Sequence, residues 1–216
     1  MRLPTKSIER ACFQKGFRSV IGIDEVGMGC LAGPVVVCAV AFTRRFYAHS
    51  HRKLRWLRDS KLLTAAQRER FAAALLKDKG LRYRIGYCFP KTIDRLNIYQ
   101  AARLAMRRAI TRLAISYKLQ ARSLMVLVDG KTAIRGLGLE QIPVVGGDHK
   151  VFAIACASII AKVFRDRMMK RYAKKYPGYG LELHKGYGTK LHRARLTALG
   201  PLKIHRKSFA PVAKLV

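Results

Sequence analysis

Acidic side chains are scarce in this sequence of 216 residues, which contains 12 Asp and Glu against 44 Lys and Arg. The formal net charge is therefore +32 at pH 7. A surplus of this size predicts a polyanionic partner rather than only a well-solvated basic surface. Nucleic acid is the first candidate for that partner, and an anionic membrane surface is the second.

Long apolar runs are absent as well. The most apolar stretch, residues 31–42, is interrupted by Gly33 and Pro34, whereas a membrane-spanning helix needs about 20 apolar residues. The N-terminal segment has no apolar secretory core. We therefore predict a cytoplasmic protein that does not enter a membrane.

Paired cysteines are missing too, because no two of the five cysteines stand in a C-x-x-C arrangement. This scatter argues against a disulfide framework and against a standard zinc motif. We predict buried thiols in a reducing compartment. The cysteines are Cys12, Cys30, Cys38, Cys88 and Cys156.

The hydrophobic pattern predicts an α/β fold in a single domain over residues 1–216, with a mixed sheet flanked by helices and a helical C-terminal third. The capping-box pair Thr64 and Gln67 marks the start of one helix. The basic stretch 44–58 is predicted to form an exposed loop or a short helix. Predicted strands lie at 20–24, 35–42, 81–89, 124–128 and 142–145, and predicted helices at 64–78, 94–118, 151–174 and 190–199.

Four of the few acidic residues follow buried apolar segments. Asp24 and Glu25 close the first predicted strand, Asp129 closes another, and Asp148 follows a short apolar run. If these strands are neighbours, the carboxylates converge at one end of the sheet, where α/β active sites gather. Oxygen-only ligands suit Mg²⁺ or Mn²⁺. The alternative is that each acid is a helix cap or turn residue; it is as good an interpretation for Asp148, which precedes a helix, but a weaker one for Asp24 and Glu25, because an apolar strand rarely ends in two unpaired acids.

A glycine-rich segment, residues 27–32, follows the first strand and matches the dinucleotide-binding pattern G-x-G-x-x-A. That pattern requires a helix directly after it, whereas Pro34 and a β-branched run follow here. We therefore reject dinucleotide binding. The loop can present backbone N–H groups to a phosphate or a sugar hydroxyl, and an ordinary hairpin connection is the alternative.

These motifs, taken in order, resemble the ribonuclease HII family. The resemblance spans residues 21–212, nearly the whole chain. The matching segments are 21–35 (IGIDEVGMGCLAGPV), 59–62 (DSKL), 128–130 (VDG), 147–148 (GD), 157–163 (ASIIAKV) with 165–166 (RD), 184–189 (HKGYGT) and 205–212 (HRKSFAPV).

The resemblance implies an RNase H-like fold whose C-terminal region, roughly 177–216, forms a helical substrate-binding extension. It implies an endonuclease that cuts the RNA strand of RNA–DNA hybrids and cuts on the 5′ side of ribonucleotides embedded in duplex DNA, leaving 3′-hydroxyl and 5′-phosphate ends. The implied cofactors are Mn²⁺ or Mg²⁺, two ions during catalysis. The implied catalytic and metal-binding residues are Asp24, Glu25, Asp129 and Asp148.

The resemblance also implies how the substrate is recognised. The glycine loop and a tyrosine sense the 2′-hydroxyl that distinguishes RNA from DNA, which assigns that role to Gly27, Met28, Gly29 and Tyr187. Three further positions, Lys61, Ser158 and Lys162, match motif residues that contact backbone phosphate or brace the site.

Two positions depart from the family pattern. Met28 stands where the family usually has arginine, and Gly146 stands where it usually has lysine; both changes bear on substrate affinity and junction preference. Outside the site, we expect Asp166 to form a structural ion pair and Asp59 to act as a turn or cap. The spacing of His184, His192 and His205 fits no standard zinc pattern, and we expect these residues at the surface or on phosphate.

Two rival interpretations remain at this point. Composition alone favours a non-catalytic basic protein that binds nucleic acid, although ordered acids at strand ends repel phosphate unless a metal intervenes. The second rival is a ribonuclease HIII, which shares the carboxylate set but usually carries an extra N-terminal domain. We expect a monomer, and a contact with a replication clamp is left open.

Overall fold

The computed structural model describes residues 3–48, 54 and 56–216. Its centre is a five-stranded sheet in the order β3-β2-β1-β4-β5. The pairs β1–β2 and β2–β3 are antiparallel, whereas β1–β4 and β4–β5 are parallel, so the predicted mixed sheet is confirmed. The strands are β1 (Ser19–Val26), β2 (Val35–Thr43), β3 (Leu81–Cys88), β4 (Leu124–Asp129) and β5 (Glu140–Val144).

Helices cover both faces of this sheet and most of the C-terminal third. The basic stretch 44–58 begins with a short helix, which was one of the two predicted alternatives. Its residues 49–53 and 55 lie outside the described part of the chain. The helices are α1 (Ser7–Gln14), α2 (Arg44–Ala48), α3 (Ala65–Lys77), α4 (Pro90–Leu96), α5 (Ile98–Ser116), α6 (Gly147–Lys150), α7 (Phe152–Lys175), α8 (Leu181–His184), α9 (Lys190–Leu199) and α10 (Ala210–Ala213).

Two long helices sandwich the sheet, α7 on one face and α5 on the other. Glycines in the strands allow this close approach. A Cβ added at Gly22 would lie 2.4 Å from the main-chain carbon of Ala153 in α7, and one added at Gly86 would lie 2.2 Å from the carbonyl oxygen of Ala105 in α5. The apolar stripe of α5 consists largely of alanine for the same reason, because small side chains let the helix lie against the strands.

Local sequence signals explain several helix ends. The capping box at Thr64 is confirmed: its hydroxyl accepts from the Gln67 N–H at 3.2 Å, and its own N–H donates to the Gln67 side chain at 2.9 Å. The prediction of one helix over 94–118 was wrong, because Asn97 adopts a positive φ of 65° and separates α4 from α5. Its side chain caps α5 by accepting from the Gln100 N–H.

The first helix was not predicted, yet it fixes the start of the longest one. Glu9 in α1 is fully buried and accepts a hydrogen bond from the N–H of Ala153 at 2.9 Å. Val151, the N-cap residue of α7, provides no side-chain hydrogen bond to the first turn of that helix. A carboxylate supplied from a distant segment therefore satisfies an N–H group that would otherwise lack a partner.

The C-terminal region packs against the segment between β1 and β2. Ala32 joins a small apolar cluster with Met169, Tyr179, Leu181 and Ile204. The predicted buried state of all five cysteines is confirmed, and all are free thiols. Within residues 3–48, 54 and 56–216, no helix is both long and apolar enough to cross a membrane.

Candidate active site

Acidic residues from separate elements meet at one edge of the sheet. Asp24 lies near the end of β1, Asp129 ends β4, and Asp148 lies in α6 just after β5. These three strands are parallel neighbours, so their C-terminal ends share an edge. Side-chain oxygens of Asp24, Asp129 and Asp148 all lie within 4.8 Å of one another. The structure therefore brings together residues that are far apart in sequence.

Glu25 belongs to the same electrostatic environment. Burial, followed by the charge of Asp129, raises the pKa of Glu25 to about 7, although Lys61 opposes this effect. Its side chain lines a cavity of about 170 Å³ together with Met28 and Asp129. Its main-chain N–H donates to Oδ1 of Asp24 at 2.7 Å. Glu25 therefore lies at the same edge as the other three, but the group with metal-ligand spacing among the described residues contains Asp24, Asp129 and Asp148 and not Glu25.

The carboxylates destabilise one another when they are all ionised. Asp24 is buried, and its pKa is raised well above the ordinary value by burial and then by the charges of Glu25 and Asp129. The pKa of Asp129 is raised by burial and by Asp148, against the hydrogen bonds of the Gly147–Asp148 backbone. This repulsion favours proton uptake or the binding of a cation.

Neighbouring groups fix the orientation of these side chains. The N–H of Gly147 donates to Oδ1 of Asp129 at 2.7 Å. Lys61 Nζ donates to Oδ2 of Asp148 at 3.0 Å, although the lysine side chain is 76% exposed. Ser158 is buried, forms a hydroxyl–hydroxyl hydrogen bond with Ser60 at 2.9 Å and opposes the rise in the pKa of Asp24. Lys61 therefore braces Asp148 in this structure.

His149 is a member of this edge that sequence reasoning missed. Its Nδ1 lies 3.4 Å from Oδ2 of Asp59, and its Nε2 lies 3.6 Å from Oδ1 of Asp148. Asp59 acts as the predicted cap, because its Oδ1 accepts from the Lys61 N–H at 2.9 Å. Asp59, Asp148 and His149 form a second group with metal-ligand spacing. The one available signal was the position of His149 directly after Asp148.

The glycine loop lies beside Tyr187. Gly27 adopts a φ of 92°, and Gly29 is exposed. Cys30 pairs with Tyr187 in an antiparallel bridge, and the N–H of Leu31 donates to the carbonyl of Gly186 at 2.8 Å. The two segments predicted to sense a sugar hydroxyl are thus hydrogen-bonded to each other.

A basic groove of about 630 Å³ runs past Tyr187. Lys162 lies 5.5 Å from the centre of the Tyr187 ring and pairs with Asp166 at 2.8 Å, so the predicted ion pair of Asp166 is confirmed. Tyr187 is 39% exposed. The other cationic residues that line the groove are Arg68, Lys170 and Lys185.

The prediction that three histidines lie at the surface was wrong. His184, His192 and His205 are buried, because each ring finds hydrogen-bond partners inside the C-terminal region. The His184 ring stacks on the His192 ring at 4.1 Å between centroids, and Nε2 of His192 lies 3.1 Å from Nε2 of His205. Burial lowers the pKa of all three imidazoles. The ring of His192 also hydrogen-bonds the carbonyl of Tyr187 at 2.9 Å.

Comparison with known proteins decides between the remaining interpretations. The family model described as Ribonuclease HII matches residues 21–212. A ribonuclease HII of Paracoccus denitrificans is 43% identical over 100% of this chain and 96% of its own, and one of Bacillus thuringiensis is 42% identical over 99% of this chain and 77% of its own. The chain belongs to the ribonuclease HII family. It is therefore an endonuclease of the RNase H type, and the interpretation as a non-catalytic binding protein is wrong.

Solved structures confirm the RNase H-like fold of this ribonuclease HII family member. Ribonuclease H2 from Pyrococcus horikoshii superposes with a TM-score of 0.69 at 24% identity, over 91% of this chain and 96% of that one. The ribonuclease HII of a PCNA complex from Archaeoglobus fulgidus gives a TM-score of 0.66 at 27% identity, over 87% of this chain and 93% of that one. A ribonuclease HIII solved with Mn²⁺ gives a TM-score of 0.67 at 21% identity, over 95% of this chain and 71% of that one. The acidic cluster fits the divalent-metal chemistry of the family.

Proposed function

We propose that this protein hydrolyses the RNA strand of RNA–DNA hybrids and also cuts on the 5′ side of single ribonucleotides embedded in duplex DNA, leaving 3′-hydroxyl and 5′-phosphate ends. Asp24, Glu25, Asp129 and Asp148 are the proposed catalytic and metal-binding residues. The observation that carries the proposal is the approach of Asp24, Asp129 and Asp148 side-chain oxygens to within 4.8 Å of one another.

The residues of the cluster fit Mg²⁺ or Mn²⁺, and we propose that two ions bind during catalysis. The donors of the proposed set are all oxygens, which suits hard cations. Asp24 is buried among like charges that raise its pKa, so a cation placed there relieves repulsion that protein groups leave largely uncompensated. When bound, divalent ions stabilise developing negative charge on phosphate oxygens and promote the ionisation of water.

Residues around the cluster have two proposed tasks, which are to orient the carboxylates and to bind the substrate. The Gly147 N–H holds Oδ1 of Asp129 and the Glu25 N–H holds Oδ1 of Asp24, so these carboxylates are oriented before substrate arrives. Lys61, bonded to Asp148 and mostly exposed, supplies a positive charge at the rim of the cluster. The proposed substrate-binding residues are Gly27, Met28, Gly29, Lys61, Ser158, Lys162 and Tyr187.

We propose that residues 177–216 form a helical extension of a single catalytic domain and bind the nucleic acid beside the site. The support is that this region carries Tyr187 against the glycine loop and supplies part of the basic groove. We further propose that the protein acts as a cytoplasmic monomer. We also propose a replication clamp as a second partner to test, because the Archaeoglobus fulgidus relative was solved in a complex with PCNA.

The proposal is tested by cleavage of two end-labelled substrates, an RNA–DNA hybrid and a DNA duplex that contains one ribonucleotide. We expect both to be cut with Mg²⁺ or Mn²⁺ and neither with EDTA. Asp129→Asn should lower the rate by more than about 100-fold because a metal ligand is lost. Glu140→Gln is the matched control, because Glu140 is exposed at the opposite end of the neighbouring strand.

The products and the control define the failure of this proposal. A labelled 5′-phosphate that phosphatase removes, and a 3′-hydroxyl that a polymerase extends, would support the proposed ends. Cleavage by Asp129→Asn at the wild-type rate would remove Asp129 from the site. An uncut single-ribonucleotide duplex, with the hybrid still cut, would refute the finer substrate assignment alone.

A further inference from the structure

Two arginines have their guanidinium groups inside the protein. Arg165 in α7 and Arg206 near the C-terminus are both 0% exposed. Within the described residues neither forms an ion pair with a carboxylate; each donates three hydrogen bonds to main-chain carbonyls instead. Burying a charge without hydrogen bonds is costly, so the geometry of both groups is tied to those carbonyls.

Arg206 holds the carbonyls of the glycine loop. Its Nη2 donates to the carbonyl of Gly27 at 2.6 Å, its Nη1 to that of Met28 at 2.7 Å, and its Nε to that of Gly33 at 3.1 Å. The peptides are trans and planar, so each C=O points opposite to the next residue's N–H. The N–H groups of Met28 and Gly29 therefore point away from Arg206.

The outward N–H groups have no main-chain acceptor. In the described part of the chain neither Met28 nor Gly29 donates a main-chain hydrogen bond, and Gly29 is exposed with open space around its Cα. Two adjacent, aligned N–H donors form a fixed site for an oxygen acceptor. Because the main chain provides this site, Met28 in place of arginine leaves it intact.

Arg165 links the same loop to the Tyr187 segment. Its Nη2 donates to the carbonyl of Ala32 at 3.0 Å, its Nε to that of Pro34 at 3.0 Å, and its Nη1 to that of Lys185 at 2.8 Å. Its guanidinium carbon lies 5.8 Å from the centre of the Tyr187 ring. One rigid side chain thus spans both segments that are proposed to meet the ribose.

We propose that Arg206 and Arg165 are positioning residues that aim the Met28 and Gly29 N–H groups, and the Tyr187 ring, at the 2′-hydroxyl of the ribonucleotide. This inference rests on the proposed function. Neither arginine touches the substrate, and their effect is on discrimination between ribose and deoxyribose rather than on general affinity for nucleic acid. A planar guanidinium can bond three carbonyls at fixed angles, whereas a lysine ammonium keeps the charge without that geometry.

The test compares two duplexes that differ by a single 2′-hydroxyl, with binding measured in Ca²⁺ to prevent cleavage. The readout is the ratio of the two dissociation constants, which does not depend on the fraction of folded protein. We expect Arg206→Lys and Arg165→Lys each to reduce this ratio about three- to tenfold, the effect of one hydrogen bond to the hydroxyl. Affinity for the all-DNA duplex should change less than twofold.

Arg84→Lys is the matched control. Arg84 is half-buried in β3 and also donates to a main-chain carbonyl, that of Tyr83, but it lies outside the loop, so its ratio should equal that of the wild type. A wild-type ratio in folded Arg206→Lys and Arg165→Lys would overturn the inference. If the wild type itself shows no preference for the ribonucleotide duplex, the proposed function fails.

A measurement on the wild type covers the case in which the variants do not fold. The amide resonances of Met28 and Gly29, in ¹⁵N-labelled protein, should shift differently with the ribonucleotide duplex and the all-DNA duplex. The amide of Gly136, which is not part of the loop, is the internal control. Identical shifts of Met28 and Gly29 with the two duplexes would overturn the inference.

Discussion

Replacing Asp24 with asparagine should make the metal-free protein more stable while it abolishes cleavage. Two unit charges about 4–5 Å apart in a partly screened environment repel by ~3–4 kcal/mol. Asp24 faces three other carboxylates, and full ionisation of the set would consume most of a typical stability of ~5–15 kcal/mol. The raised pKa of Asp24 favours proton uptake, which offsets part of this repulsion, so we expect a gain of about 2 kcal/mol.

Asparagine preserves the contacts that hold Asp24 in place. Its side-chain oxygen can still accept from the Glu25 N–H, as Oδ1 of Asp24 does at 2.7 Å, so loss of repulsion dominates the change. In a protein of this size a gain of about 2 kcal/mol raises the melting temperature by ~4–8 °C. Saturating Mg²⁺ or Mn²⁺ should stabilise the wild type more than Asp24→Asn, so that the difference in EDTA shrinks or reverses.

The assay is thermal unfolding of both proteins in EDTA and across a Mn²⁺ titration, with cleavage of the labelled hybrid measured in parallel. Asp166→Asn is the control, because Asp166 pairs with Lys162 outside the cluster and its replacement should not alter the response to metal. A lower melting temperature for Asp24→Asn than for wild type in EDTA would refute the argument from repulsion. Equal stabilisation of both proteins by Mn²⁺ would refute the role of Asp24 as a ligand.

Two further predictions concern stability away from the carboxylates. Gly22→Ala should lower the free energy of unfolding, measured in urea, by about 1–3 kcal/mol, because the new Cβ would overlap the main chain of Ala153. The control, Gly80→Ala, should lose less, because its new Cβ meets only side-chain atoms. Equal losses would show that the close approach of α7 to β1 is not what requires glycine at position 22. Burial, and then the charge of His192, lowers the pKa of His205 to about 4, so between this pH and about 6.5 the unfolded chain binds a proton that the folded protein does not bind. The wild type should therefore lose about 2 kcal/mol of unfolding free energy between pH 7 and pH 5, a loss that His205→Gln should not show. Equal losses for the two proteins, measured by urea denaturation at both pH values, would contradict this.

The strands and the carboxylates were predictable from sequence for a common reason. Strand ends are marked locally, by an apolar run followed by an acid, as at Val128–Asp129. The carboxyl ends of neighbouring parallel strands necessarily share an edge, so locating the ends also locates Asp24 and Asp129. The convergence needed one tertiary assumption, the adjacency of β1 and β4, which the register Ile23↔Val128 confirms.

The features that sequence reasoning missed are those whose partners come from distant segments. No role was predicted for Arg206, because nothing local indicates that it donates to Gly27, Met28 and Gly33. The buried histidines were misplaced for the same reason. Asn97 was missed because its positive φ breaks a stretch in which both sides favour a helix.

The scarcity of acid and the strength of the cluster are parts of one physical arrangement. Five of the 12 acidic residues lie at the same edge, namely Asp24, Glu25, Asp59, Asp129 and Asp148. The basic surface attracts phosphate, but salt screens exposed charges beyond about 8 Å, so most of it cannot neutralise this edge. Among the described residues, Lys61 forms an ion pair with Asp148 at 3.0 Å, and the ring nitrogens of His149 lie 3.4 Å from Asp59 and 3.6 Å from Asp148. A phosphate drawn toward the protein therefore meets net repulsion at the cluster unless a small, multivalent cation lies between them, which makes metal binding a condition for productive approach as well as for chemistry.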